Sequence, residues 1–249
     1  MTLKIYDFSI KSLAGVDLDV SKYKGHVLLI VNVASLCGFT PQYKELQLLH
    51  REFSAKGLSI LAFPCNDFAG QEPGSEMKIR DFCNINYGIS FEVHEKIKIR
   101  GKSPSPLFHY LENLNIPVVR PPKLKAKLFQ IFTFIQFWLK EKRFPLAGEV
   151  TWNFHKFIIG KNGCVAGHFS SDCDPFDDRL IACIKRELNK YFFNTAFLIN
   201  SDRFNEMGAV EKSQQGFNDP CLFGAINELT PTKDEIQLKQ LESDPFEKN

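Results

Sequence analysis

The chain of 249 residues predicts an α/β fold, with a central mixed sheet flanked by helices. Three features carry this expectation. Residues 27–34 and 58–64 are short, nearly unbroken apolar runs, each followed by a segment whose apolar positions have helical spacing. Residues 152–159 and 164–169 flank Gly160-Lys161-Asn162-Gly163, which is hairpin-turn chemistry. A composition of 44% hydrophobic and 24% charged residues supplies enough apolar material for one soluble core.

The run Val27-Leu28-Leu29-Ile30-Val31-Asn32-Val33-Ala34, entered through Gly25, is rich in β-branched residues and has no polar face. It reads as a strand buried on both sides. Thr40-Pro41 then looks like a helix start, with Thr40 as N-cap and Pro41 at the first helical position. Leu46, Leu49 and Phe53 continue that helix and Gly57 ends it. After the second buried strand at 58–64, Ser75 is placed to cap a helix with Ile79, Phe82 and Cys83 on one face and Gly88 beyond its end. Strand, helix, strand and helix imply a parallel βαβ core.

Downstream, the hairpin strands precede a last helix expected to start at Asp174-Pro175. Asp177 and Asp178 lie near its positive end, and Lys185, Arg186 and Lys190 toward its negative end. The sum, βαβ followed by ββα, is the layout of a thioredoxin-like fold over residues 1–193. Two stretches lie outside that plan. Residues 114–147 form an atypical, irregular insertion, and the polar, aperiodic residues 194–249 read as a mostly disordered C-terminal extension.

A formal net charge of +2 is too small to indicate nucleic acid or an anionic membrane as the main partner. The seven cysteines, at 37, 65, 83, 164, 173, 183 and 221, include no C-x-x-C pair and show no zinc-ligand spacing with histidine. General dithiol–disulfide exchange and a structural metal are therefore not expected, and no cofactor is implied. An odd number of cysteines and an N-terminus without a signal-peptide pattern point to a reducing compartment, with the cytoplasm as the expectation.

Cys37 sits between the end of a buried strand and the start of a helix. Unpaired N–H groups and the helix dipole stabilise a thiolate there, and can bring a cysteine pKa from roughly 8.5 into about the 3.5–7.5 range. The thiolate attacks electrophiles such as a peroxide O–O bond. On position alone, a packing thiol that closes the strand is an equally good reading.

The flanking residues separate the two readings. Residues 32–40, Asn-Val-Ala-Ser-Leu-Cys-Gly-Phe-Thr, resemble the nucleophile motif N-V-A-S-x-[C or selenocysteine]-G-x-T of the glutathione peroxidase family. Residues 63–74, Phe-Pro-Cys-Asn-Asp-Phe-Ala-Gly-Gln-Glu-Pro-Gly, are similar to its F-P-C-N-Q-F-x-x-Q-E-P-G block, and residues 152–157 to its W-N-F-x-K-F block. The resemblance covers about residues 1–113 and 148–190. It implies that Gln71, Trp152 and Asn153 complete an active-site tetrad with Cys37. Their amide and indole N–H groups are donors, suited to a thiolate and to the departing hydroxide.

The same resemblance bears on the other cysteines. Cys83, in Phe82-Cys83-Asn84-Ile85-Asn86-Tyr87-Gly88, matches the F-C-x-x-x-Y-G of relatives whose second cysteine condenses with the oxidised nucleophile and is then reduced by thioredoxin. Its other reading is a small apolar residue on the inner face of the helix. If Cys83 does resolve, its separation from Cys37 requires the second helix to unwind in part. Cys65, Cys164, Cys173, Cys183 and Cys221 read as packing thiols. Asp67 stands where the family has Gln, and its carboxylate is expected to raise the pKa of Cys37.

The implied activity is a thiol peroxidase, recycled by thioredoxin or, in the alternative, by glutathione, with a hydroperoxide substrate and a monomeric state. A peroxide sensor that relays oxidation to partner thiols, and an inactive thioredoxin-fold adaptor, compete with it. The apolar part of the insertion, 124–142, is Phe-rich, Lys-flanked and shorter than the roughly 20 residues that span a bilayer. It reads as a membrane-surface helix, a self-association segment or translated non-coding sequence. The clean return of the family pattern at 148–152 favours the last.

Overall fold

A computed structural model describes residues 4–122 and 124–190. The expected extension at 194–249 and Cys221 lie outside the described residues. The chain opens with a small hairpin, β1 (Ser9–Lys11) and β2 (Asp17–Asp19). The main framework follows as β3 (Val27–Val33), α1 (Gln42–Phe53), β4 (Leu58–Pro64), α2 (Glu76–Tyr87), β5 (Glu92–Val93) and α3 (Pro106–Asn113). Next come β6 (Val118–Val119), α4 (Leu124–Glu141), the hairpin β7 (Lys156–Ile159) and β8 (Val165–Phe169), and α5 (Asp178–Asn189).

Six strands form one mixed sheet in the order β5-β4-β3-β7-β8-β6. β3 is central: it pairs parallel with β4 from Val27↔Leu58 to Val33↔Pro64, and antiparallel with β7. Every residue of β3 is buried, as an apolar run without a polar face requires. Each Val, Leu or Ile so placed contributes about 1.5–3 kcal/mol. β3 therefore supplies a rigid platform, and its C-terminal end is where the chain turns toward Cys37. This is the expected thioredoxin-like α/β fold.

Four local expectations change. α1 starts at Gln42, so Thr40 does not cap it. The last helix starts at Asp178, capped by Asp177, whose side chain accepts from the Arg179 N–H; Asp174 instead receives the Phe176 N–H at 2.7 Å. Residues 152–155 are a turn rather than part of a strand, because Phe154 has a left-handed φ of 69°. The insertion is not irregular: most of it is the helix α4. It rejoins the framework at Gly148, where a Cβ would stand only 2.7 Å from both Asn115 Cα and the Glu112 carbonyl oxygen.

Candidate active site

The turn between β3 and α1 is laced in place from both sides. The Cys37 N–H donates to Thr40 Oγ1 at 3.0 Å, and the Thr40 hydroxyl lies 2.8 Å from the Ala34 carbonyl and 2.7 Å from that of Cys37. On the other side, the N–H and hydroxyl of Ser35 donate to Glu72 Oε2 at 2.8 and 2.9 Å, and the Leu36 N–H donates to the Gln71 carbonyl at 3.0 Å. Gln71 is reached through Ala69 and Gly70, both left-handed at φ 55° and 64°. These bonds tie the segment carrying Cys37 to the segment carrying Gln71.

Trp152 and Asn153 arrive from the turn before β7. Asn32, fully buried in β3, organises that turn. Its Nδ2 donates to the Trp152 carbonyl at 3.1 Å and lies 3.4 Å from Asn153 Oδ1, while its Oδ1 accepts the His155 N–H at 3.0 Å. The left-handed Phe154, a conformation costing about 1–3 kcal/mol, is held by its N–H bond to the Asn32 carbonyl at 2.6 Å and by edge packing on Tyr43. Beneath it, the fully buried Lys156 ammonium donates to the carbonyls of Phe154 and Cys173, each at 2.8 Å. Burial lowers its pKa to about 8.

The four expected residues are thereby brought together. Cys37 Sγ accepts from the Phe39 N–H at 3.5 Å and has the Trp152 side chain beside it, which favours the thiolate. Asn153 Nδ2 donates to Gln71 Oε1 at 3.1 Å, which leaves the NH2 end of Gln71 as its donor. The charge state of Cys37 differs from expectation. Burial pushes its pKa up, and the Phe39 and Trp152 contacts oppose that shift without reversing it. Helix α1 begins only at Gln42, and the amides of Cys37 and Thr40 are already satisfied within the turn.

Asp67 also departs from expectation. Its carboxylate accepts the N–H groups of Ile99 and Arg100 at 2.6 and 2.9 Å, and lies 3.6 Å from Cys65 Sγ. Its charge acts on Cys65, whose pKa is pushed up to about 12 by burial first and then by Asp67. Cys173 and Cys183 are buried thiols, raised by burial to about 12 and about 11. Cys164 was expected to be a packing thiol but is disulfide-bonded.

Cys83 is a buried thiol on α2, a different element from Cys37, and the two are not bonded. Its pKa rises to about 11, mainly through burial and further through Glu72, with the nearby Tyr43 side chain opposing the rise.

Sequence reasoning missed two supports. Arg100 donates to both carboxylate oxygens of Glu112, at 2.9 and 2.7 Å, within the interior, and also to the Val150 carbonyl. The Val150 N–H returns to Glu112 at 2.8 Å, which fixes the approach to Trp152. Only a three-dimensional pairing reveals this pair. The second support is α4. Its Phe129 ring lies 5.0 Å from Phe39 and 6.2 Å from Trp152, and Phe132 lies 5.4 Å from Trp152. The periodic aromatic spacing of 124–142 was the available signal. A cavity of about 470 Å³ lies between α4 and the loop after β4, bounded by Phe68, Arg100, Phe137, Leu139 and Trp152.

Comparison with known proteins agrees with this architecture. The family profile described as Glutathione peroxidase matches residues 5–112. The chain is 36% identical over 173 residues to the glutathione peroxidase of Lactococcus lactis subsp. cremoris, covering 70% of this chain and 93% of that one. It is 38% identical over 177 residues to glutathione peroxidase-like peroxiredoxin 2 of Saccharomyces cerevisiae, covering 70% and 92%. Among solved structures, T. cruzi GPX1 superposes with a TM-score of 0.50 at 27% identity, covering 74% of this chain and 97% of that one. Fold and relatives together define a peroxidase, an oxidoreductase built on a thioredoxin-like scaffold. The chain belongs to the glutathione peroxidase family.

Proposed function

We propose that Cys37 is the peroxide-reducing nucleophile, that Gln71, Trp152 and Asn153 are its donors and positioners, and that Cys83 resolves the oxidised form. The sulfur attacks the terminal oxygen of a hydroperoxide. An S–O bond forms as the O–O bond breaks, and the thiol proton leaves with the departing oxygen as alcohol, or as water when the substrate is hydrogen peroxide. Cys37 becomes a sulfenic acid. In this reading the Trp152 indole N–H and the Gln71 amide donate to the departing oxygen, in a buried pocket where such bonds are strong.

The Cys83 thiol then condenses with the sulfenic acid. An S–S bond forms, and water carries away the sulfenic hydroxyl and the Cys83 proton. An external dithiol, thioredoxin in this reading, reduces the disulfide and is itself oxidised. The observation that carries the proposal is the convergence of the Phe39 N–H and the Trp152 side chain on Cys37 Sγ. The Saccharomyces relative, named a peroxiredoxin, supports the thioredoxin branch.

The test is a coupled peroxidase assay with thioredoxin or glutathione, on the wild type, Cys37→Ser and Cys83→Ser. Cys37→Ser should lower turnover at least about 10³-fold, as expected for loss of a nucleophile. Cys83→Ser should retain one round of peroxide reduction but lose thioredoxin-supported cycling. Full cycling of Cys83→Ser with thioredoxin would remove Cys83 from the mechanism, and glutathione-supported turnover would replace thioredoxin as the reductant.

A further inference from the structure

Helix α4 is apolar on two sides, and the fold uses only one of them. Phe129, Thr133 and Phe137 recur every four residues and face the domain, with Thr133 and Phe137 buried. The other side carries Leu128, Ile131, Ile135, Trp138 and Leu139, each between 44% and 60% exposed. A contiguous exposed apolar patch of this kind marks an interaction surface.

Charge indicates what covers it. Between residues 123 and 143 the sequence has six cations, Lys123, Lys125, Lys127, Lys140, Lys142 and Arg143, and a single acid, Glu141. Lys127 is exposed near the start of the helix, and Lys140 and Lys142 near its end. Lys140 donates to the Asp67 carbonyl and Lys142 lies over the Trp138 ring, contacts that cancel no charge, while Arg143 is neutralised by Glu149, which leaves five lysines against Glu141. A second copy laid on this face, in either direction, would set cations against cations. An anionic lipid surface complements both the apolar stripe and its basic ends.

The geometry points to α4 as a docking helix for anionic membranes, lying in the interface with its basic ends at the headgroups. Among the described residues no helix is long and apolar enough to cross a membrane, which fits a helix that rests on the surface. The net charge of +2 hides this local excess because acids elsewhere in the chain offset it. The inner face of the same helix touches Phe39 and Trp152, so docking leaves α4 lying between the Cys37 site and the lipid plane.

The test is co-sedimentation of the full chain with phosphatidylcholine vesicles, alone or with about one-third phosphatidylserine. Partitioning should be at least about 10-fold stronger on the anionic vesicles and should fall toward the neutral level at about 0.5 M salt. Ile135→Glu, on an exposed position away from Cys37, should abolish binding while leaving hydrogen peroxide turnover unchanged. Lys127→Gln combined with Lys142→Gln should lower anionic partitioning about 30-fold, since each basic residue near the surface contributes roughly fivefold. Three results overturn the proposal: no anionic binding at low salt by a chain shown to be folded by circular dichroism, equal binding to both vesicle types, or an Ile135→Glu-sensitive dimer in light scattering that ignores vesicles.

Discussion

Helices α1 and α2 have the same length, 12 residues each, and pack on each other through Tyr43 against Phe82 and Tyr87. Their anchoring differs sharply. α1 buries Gln42, Tyr43, Leu46, Gln47, Leu49 and Phe53, whereas α2 buries only Ile79 and Cys83. Ser75, at the N-cap of α2, makes no side-chain capping bond. The Cys37 turn thus precedes a helix fixed to the core, while the candidate resolving cysteine rides on one held by fewer buried contacts. Local opening draws on such lightly anchored units. In the proposed cycle Cys83 meets a sulfenic acid on Cys37, and α2 has less buried surface to lose by moving than α1.

This contrast can be broken or sharpened by experiment. The largest effect is expected in native-state hydrogen exchange, where α2 amides should exchange at least about 100-fold faster than those of α1, given the smaller apolar burial of α2. Equal protection would end the comparison. Leu46→Ala in α1 should cost about 3 kcal/mol of global stability, read as a lower urea midpoint. Ile79→Ala should weaken α2 by about 2 kcal/mol, move the global midpoint less, and speed Cys37–Cys83 disulfide formation after one equivalent of peroxide.

The pH dependence of that step carries a sign. In the closed helix the Cys83 pKa is about 11, raised mainly by burial. If opening comes first, the exposed thiol titrates near roughly 8.5, so the rate should rise about tenfold per pH unit below that value and level off above it. A stopped-flow rate still climbing toward the closed-state value would mean that the disulfide forms without opening. The smallest effect is Ser75→Asp, which supplies the missing cap and a charge at the positive end of α2. It should stabilise that helix by about 0.5–1 kcal/mol and slow disulfide formation about 2- to 5-fold, measured under the same conditions.

The sequence disclosed the sheet centre because β3 and β4 are buried on both faces and are apolar apart from Asn32 and Ser59, a pattern that survives in one dimension. β5 and β6, two residues each, carry no such pattern and exist only through pairing with neighbours. Residues 152–155 read as strand because nothing marks a left-handed phenylalanine, and its conformation is imposed by Asn32 from another strand. The motifs named the four residues of the proposed tetrad, and their proximity follows from the fold. The direction of the Cys37 shift was not, since burial is a property of the assembled pocket. The insertion was legible as an apolar helix-length segment but not as a roof, because its seat, Phe39 and Trp152, is formed by distant parts of the chain.

The close approach at Gly148 has a consequence for how such a chain can vary. Any side chain there would collide with the backbone of Asn115 and Glu112, so the re-entry point admits one residue type. Upstream of it the cost of closing a longer loop grows only slowly with length. Residues 121–147 therefore lie where a change of length carries little closure cost, between one fixed seam and the short strand β6. A family that keeps its chemistry constant can acquire a new cover for its active site at this position without rebuilding anything beneath it.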